Sequence, residues 1–230
     1  MNVLVTGADG FIGKRLCEFL SKGSFTVTRF KSDVTRPETF SAGHFDIVVY
    51  LASKITHCGS VSGEELRATN VDGVKNILAY YPDAKMVFVS TTDVTRECLT
   101  DYAKTKLDAE HLVEKNPNNL IVRLPSVFGP HQVQDKLIPR LLKHFYRGEP
   151  CEVTSDDLRE YLFLDDACRA IVAYLGSVGL VTLVGISIRN FRLRELVESI
   201  FSHRILPALT PAEERFVNQL RACAEALPKK

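Results

Sequence analysis

Residues 1–13 read MNVLVTGADGFIG, a short apolar run followed by three glycines at three-residue spacing and then an amphipathic segment. No other stretch of the chain restricts its fold as tightly. Asn2 to Val5 do not alternate apolar with polar, as suits a strand buried on both faces of a parallel sheet. Gly7 permits a tight turn, and Gly10 lets backbone approach an anion with no Cβ in the way. Gly13 lets the next helix lie close on the strand. That helix, with Phe11, Ile12, Leu16, Phe19 and Leu20 on its apolar side, would direct its unpaired N–H groups and positive end at the same place. The spacing is GxxGxxG, and its strand–turn–helix context gives the reading its force. A dinucleotide pyrophosphate is expected here, met by Gly7, Gly10, Phe11, Ile12 and Gly13.

Strands and helices alternate through the next hundred residues. Strands are expected at Phe25–Phe30, Asp46–Leu51, Met86–Ser90 and Leu120–Arg123. Helices are expected at Ser62–Tyr81, opened by a Ser62…Glu65 capping box, and at Asp101–Glu114, with Leu107, His111 and Leu112 at helical spacing. This βαβ order implies a doubly wound parallel α/β sheet of Rossmann type, with ligands at the carboxyl ends of the strands. Beyond Gly129 the pattern loosens. Helices at Leu137–Phe145, Asp166–Leu175 and Leu193–Phe201 and strands at Tyr161–Leu164 and Leu180–Val184 are expected. A last helix opens on Thr210-Pro211-Ala212-Glu213, with Thr210 as cap and Pro211 in its first turn. The whole chain, 1–230, reads as a single dinucleotide-binding domain with a reduced C-terminal substrate lobe mainly within 130–230.

Composition excludes several classes. With 29 basic against 28 acidic residues the net charge is +1, and no basic run offers a nucleic-acid surface. No apolar run approaches the roughly 20 residues of a membrane span, and no signal-peptide architecture is present. Cys17, Cys58, Cys98, Cys151, Cys168 and Cys223 show no CxxC or Cys/His ligand spacing, so no metal is expected and buried reduced thiols are. A soluble cytoplasmic protein follows as the expectation.

Tyr102-Ala103-Lys104-Thr105-Lys106 adds chemistry. Tyr102 and Lys106 are four apart on one helix face, and an ammonium near a phenol favours phenolate, allowing acid–base work nearer neutral pH. At the end of the second strand stand Arg29, Phe30, Lys31 and Ser32, where an acid would receive the ribose hydroxyls of NAD. Positive charge plus a hydroxyl leans toward the 2′-phosphate of NADP, with Asp33 close by.

The chain resembles the extended short-chain dehydrogenase/reductases, the NAD-dependent epimerase/dehydratase group, from Asn2 to about Phe201. The resemblance rests on TGADGFIG, Asp33-Val34-Thr35, DIVVYLAS at 46–53, ATNVDGVKNIL, VFVSTTDV, Tyr102…Lys106, RLPSVFGP at 123–130 and REYLFLDDACRAI, in the family's order. It implies an NAD(P)-dependent enzyme acting on nucleotide sugars. Tyr102 would be the acid/base, Thr91 the hydroxyl partner on the sugar oxygen, and Lys106 the residue that holds the nicotinamide ribose and lowers the tyrosine pKa. Asp33 and Val34 would lie on the adenine side, Leu51, Ala52, Ser53 and Asn70 would flank the cofactor, and Leu124, Pro125 and Ser126 would meet the nicotinamide carboxamide. Thr92 and Asp93 would line the substrate, and Arg159 would clamp its diphosphate, a task suited to a bidentate donor. An ion pair of Arg159 with Glu160 or Asp157 is the competing reading, and Asp166 reads as a helix cap. The two long helices resemble those the family pairs in a dimer, with Leu78, Tyr81, Leu107 and Leu112 as apolar surface, so a homodimer is expected.

The chain departs from the pattern. Thr91 and Tyr102 are eleven residues apart where the family inserts a longer loop, Val94-Thr95-Arg96 replaces the usual "vyG", and the region after Asp166 is short. Epimerisation and ketone reduction share one hydride half-reaction and stay open together. A 4,6-dehydratase, with Asp93 removing a proton, is the second reading. A non-catalytic dinucleotide-binding sensor or scaffold is the third.

Overall fold

Five consecutive residues of the N-terminal run extend as β1 (Asn2–Thr6), and all but Asn2 are buried. The computed structural model describes residues 1–55, 61–132, 136–202 and 209–228. Around β1 assemble β2 (Thr26–Arg29), β3 (Ile47–Tyr50), β4 (Lys85–Thr91), β5 (Leu120–Leu124) and β8 (Gly179–Thr182), in the order β2-β1-β3-β4-β5-β8. Every neighbouring pair is parallel, with Val5 opposite Val49 and Val49 opposite Val87. Each crossover is therefore long and mostly helical. The helices of this unit are α1 (Phe11–Ser21), α2 (Gly63–Arg67), α3 (Gly73–Tyr80), α4 (Asp101–Val113) and most of α6 (Leu164–Tyr174). Leu4, Val48, Tyr50, Met86, Phe88 and Ile121 form one face of the sheet and pack with Val74, Ile77, Ala109 and Val113 of α3 and α4.

The chain divides into two compact units. The first comprises Met1–Leu124 with Ala167–Leu183, and the second Pro125–Asp166 with Val184–Lys230. Of residues 130–230, Ala167–Leu183 belong to the first unit and the rest to the second. Within the second unit, β6 (Ser126–Phe128) runs parallel to β7 (Leu158–Phe163), and β9 (Ile186–Arg189) pairs antiparallel with β7. Phe128, Tyr161 and Ile188 from this sheet share a core with α5 (Leu137–Arg147), α7 (Asn190–Ser202) and α8 (Pro211–Glu225).

Four local expectations are corrected. The helix expected over Ser62–Tyr81 keeps its capping box, but a π turn over Ala68–Asp72 separates α2 from α3. The short strands β6 and β9 were not expected, because three residues after Pro125 and four between Gly185 and Asn190 are too few to show a period of two. Leu164 begins α6 rather than ending a strand. Asp166 lies inside the first turn of α6 and accepts hydrogen bonds from Arg215 and Gln219 of α8, both at 2.8 Å.

Of the cysteines, Cys17, Cys151, Cys168 and Cys223 are buried and Cys98 is exposed, none of them in a disulfide, while Cys58 lies outside the described residues. Among the expected dimer contacts, Tyr81 is buried, Leu78 and Leu112 are partly buried against their own core, and Leu107 is partly exposed.

Candidate active site

The turn between β1 and α1 is built as its glycines require. Gly7 has φ +63°, and a Cβ there would lie 2.8 Å from the Ala52 nitrogen and the Leu51 carbonyl carbon. At Gly13 a Cβ would fall 2.1 Å from the Gly7 carbonyl oxygen. Gly10 is the N-cap of α1 and carries no side-chain cap, and no acid occupies the first turn. The N–H groups there, around Phe11 and Ile12, thus meet an anion with no carboxylate competing inside the helix. In front of this turn lies a groove of about 520 Å³ lined by Gly7, Ala8, Asp9, Gly10, Phe30, Lys31, Asp33, Val34, Ala52, Lys54, Glu65 and Thr69, among others. A cradle that a Cβ would fill, an uncapped helix start and a groove of this size fit a dinucleotide.

The cations at the end of β2 are not free. Arg29 donates to the Ala8 carbonyl at 2.7 Å and pairs with the Asp9 carboxylate, and Lys31 reaches the other Asp9 oxygen at 3.4 Å. The Arg29 hydrogen bond and the Lys31 charge hold the Asp9 carboxyl below its ordinary range. Asp33 turns back on its own loop, accepting from the Thr35 N–H at 2.9 Å and hydroxyl at 2.8 Å, bonds that lower its pKa. Asp9 was missed in the sequence because it occupies a variable slot between two glycines.

Leu51, Ala52 and Ser53 follow β3. The Leu51 and Ala52 N–H groups donate to the buried Thr6 hydroxyl at 3.1 and 3.2 Å. Asn70 sits in the π turn, 1% exposed. It accepts from the Ser53 hydroxyl at 3.0 Å and the Lys54 N–H at 2.8 Å, and donates to the Lys54 carbonyl and the Thr105 hydroxyl, each at 3.0 Å. All four of its hydrogen-bonding positions are spent on tying the β3 loop to α4. The π turn accounts for this placement: Gly73 N–H reaches back five residues to Ala68, and the Thr69 carbonyl takes the Tyr50 hydroxyl at 2.8 Å instead.

Thr100 caps α4, accepting from the Ala103 N–H at 3.2 Å. The helix presents Tyr102 half-buried and Lys106 2% exposed one turn later. Lys106 Nζ donates to the Val89 carbonyl at 2.7 Å and lies 4.0 Å from the centre of the Phe88 ring. Burial pulls its pKa down from 10.5 to about 7, with partial opposition from Glu110. The expectation that Lys106 lowers the tyrosine pKa is not met in this arrangement. Burial pushes Tyr102 up to about 12, against a hydrogen bond with Ser53 that pulls it down, and Asp93 adds to the rise. The physical reason is that the lysine's hydrogen bond goes to backbone, not to the phenol.

Thr91 ends β4, and its hydroxyl accepts from the Asp93 N–H at 3.2 Å, capping the 3₁₀ turn Thr92–Thr95. Thr92 is half-buried, and Asp93 pairs with Arg96 at 2.6 Å. Leu124 closes β5 and is buried; Pro125 and Ser126 open the second unit, with Ser126 exposed. Arg159, on β7, stands 3.7 Å from Asp157, as its competing reading anticipated, while Glu160 accepts from the Gly185 N–H. Among the described residues no group of His, Cys, Asp and Glu is arranged to hold a metal.

Sequence reasoning also passed over the charge pair beneath Lys106. Glu110 of α4 is 0% exposed and receives both Arg123 Nε (3.0 Å) and Nη2 (2.5 Å) from β5. The available signal was Arg123 itself: a cation inside the apolar strand Leu120–Leu124 requires a buried anion.

Agl12 of Haloferax volcanii, a low-salt glycan biosynthesis protein, is 27% identical over 94% of this chain and 84% of its own length. The UDP-glucuronic acid 4-epimerase of Bacillus cereus, solved with NAD, superposes with a TM-score of 0.79 at 20% identity, covering 98% of this chain and 96% of that one. RMD of Pseudomonas aeruginosa, solved with NADPH, gives 0.80 at 20% identity, covering 98% and 99%. Likeness at these identities establishes a shared fold. The sequence model described as the NAD dependent epimerase/dehydratase family matches residues 3–181, and the chain belongs to that family, among the extended short-chain dehydrogenase/reductases.

Proposed function

We propose that this protein is an NAD(P)-dependent nucleotide-sugar epimerase or reductase in which Tyr102 is the acid/base. One observation carries the reading: Tyr102, half-buried, and Lys106, buried one turn behind it, stand on α4 in the same unit as the uncapped glycine turn of α1. When bound, the nicotinamide would accept or return a hydride. Tyr102 would exchange the proton of the sugar hydroxyl, with Thr91 donating a hydrogen bond to the same oxygen, and Lys106 would hold the nicotinamide ribose. Asn70 keeps the Ser53–Lys54 loop fixed against α4, so these groups need little rearrangement. Thr92 and Asp93 would line the sugar and Arg159 would take the diphosphate.

The dehydratase reading is supported by the effect of Asp93 on Tyr102, although its carboxylate is engaged with Arg96. For the cofactor, Arg29 and Lys31 favour NADP and the Asp9 carboxylate opposes it, so both dinucleotides belong in the test. A homodimer through α3 and α4 rests on the resemblance, and a strict monomer in sedimentation at micromolar concentration would remove it. A cytoplasmic location is supported by the five cysteines among the described residues, none of which forms a disulfide. The test is a panel of nucleotide sugars with NAD and NADP, followed by nicotinamide absorbance and product chromatography. Conversion of one sugar that requires Tyr102 supports the proposal; binding of dinucleotide with no conversion across the panel favours the sensor reading.

A further inference from the structure

Glu110 and Arg123 are not needed by any step above, and the pair is the most deeply buried ion pair among the described residues, with side chains 1% and 18% exposed. Its position is specific. Glu110 follows Lys106 by four residues on α4, so the two share a face of the helix and lie one turn apart. Arg123 of β5 stands opposite Ser90 of β4 in the sheet, and Ser90 follows Val89, whose carbonyl Lys106 engages. The Ser90 hydroxyl is itself buried with no hydrogen-bond partner.

Resting on the reading of Lys106 as a ribose-binding ammonium, we propose that Glu110, clamped by Arg123, is a positioning residue that favours the charged form of Lys106 toward a nucleotide's ribose hydroxyls. A lysine this buried gives up its proton well below the ordinary lysine range, and an anion nearby limits how far. The groups that face it leave Glu110 as that anion. On α4 the other neighbour is Tyr102, whose phenol stays neutral; on β4 they are the Phe88 ring and the Val89 carbonyl; on β5 it is Arg123, already committed to Glu110. From the turn after β4, Asp93 is paired with Arg96, and from α2, Arg67 is paired with Asp108 at the surface. The Arg123 fork fixes the carboxylate in place and holds it ionised. A pair serving only to clip α4 to β5 would do so equally well without reference to Lys106.

NADH affinity measured by nicotinamide fluorescence from pH 5.5 to 9 separates the two roles. Affinity of the parent should fall as pH rises through the lysine's titration near 7. Glu110→Gln should move that midpoint down by about one pH unit and weaken NADH roughly tenfold at pH 7.5, whereas Glu110→Asp should restore most of it. If Glu110→Gln does not fold, the double variant Glu110→Leu/Arg123→Leu removes the pair without an orphan charge, and a smaller shift in the same direction is expected because the repulsion of Arg123 goes with the attraction of Glu110. An unmoved midpoint in whichever variant folds overturns the proposal. Lys106→Met should lose the midpoint altogether; if it keeps it, another group titrates and the proposal is again overturned. A parent that binds neither NADH nor NADPH at any pH would instead sink the functional reading on which this one rests.

Discussion

Lys106 donates from its ammonium to the Val89 carbonyl at 2.7 Å, so the lysine serves the backbone of β4 rather than the phenol of Tyr102. A fully buried lysine whose pKa falls from 10.5 to about 7 is held at a cost to the fold. Between those two pH values the unfolded chain binds the proton and the folded chain does not, so stability rises with pH across that window and the full penalty applies below it. Lys106→Met removes the penalty, on the order of a few kcal/mol, but leaves the Val89 carbonyl without its donor, which offsets about 1–3 kcal/mol. The variant should therefore be at least as stable as the parent at pH 6 and lose ground steadily toward pH 9. Urea midpoints of both proteins across that range, without nucleotide, give the comparison. A difference that does not change with pH would contradict the burial of a titrating lysine.

Tyr102→Phe keeps the ring's packing and removes only the hydroxyl. Ser53 retains its bond to Asn70, so the loop should hold its place. Turnover should fall by about 10²–10⁴-fold while dinucleotide affinity stays within about threefold and stability barely changes. Single-turnover rates beside a fluorescence titration check both halves. Turnover surviving within tenfold would move the acid–base role to another group.

The glycines of the α1 turn should separate by what surrounds them. Gly10 has φ −75° and ψ 175°, extended backbone open to any residue, and the sole neighbour of an added Cβ is the Gly7 carbonyl at 3.1 Å. Gly10→Val should fold and lose dinucleotide binding. A Cβ on Gly13 would strike the Gly7 carbonyl at 2.1 Å and the Ala8 Cα at 2.8 Å, all backbone. Gly13→Ala should therefore destabilise the chain by about 3 kcal/mol or more, at the upper end of overpacking costs. Thermal melts of the two variants, with NADH titrations of whichever folds, distinguish these outcomes. NADH bound by Gly10→Val as tightly as by the parent would displace the pyrophosphate site from this turn.

β1, β3, β4 and β5 are legible in the sequence because each is a largely apolar run bounded by turn residues, which a doubly covered parallel sheet accommodates, and β2 because Thr26-Val27-Thr28 is a β-branched run. The capping boxes at Ser62 and Thr210 are legible because two side chains and a fixed spacing specify them. The π turn is not legible: nothing in Ala68–Asp72 departs from a helical pattern, and its cause is tertiary, the approach of Tyr50 to Gly73 and Thr69. Glu110 is hidden for a related reason. Among Asp108, His111 and Glu114 it reads as part of a solvated face, and only its reach to Arg123 buries it.

Asp9 leads to the last prediction. It stands in the glycine turn and engages both cations that the end of β2 offers to a 2′-phosphate. A phosphate entering there would have to displace a carboxylate and then remain beside it, whereas NAD brings only hydroxyls, which that carboxylate can accept from. Asp9→Asn retains the side-chain shape and removes the charge, releasing Arg29 and Lys31. NADPH should then bind several-fold tighter relative to NADH than it does to the parent. Because Asp9 and Lys31 are exposed and Arg29 is partly so, the gain should shrink as salt rises from 50 to 500 mM, where charges about 10 Å apart or more are screened. Isothermal titration of both reduced dinucleotides to parent and variant, at both salt concentrations, measures the ratio. A ratio that does not move when Asp9 loses its charge would mean that the ribose of the bound nucleotide lies away from this cluster, and that its choice of cofactor is made by Asp33 and the loop it stabilises.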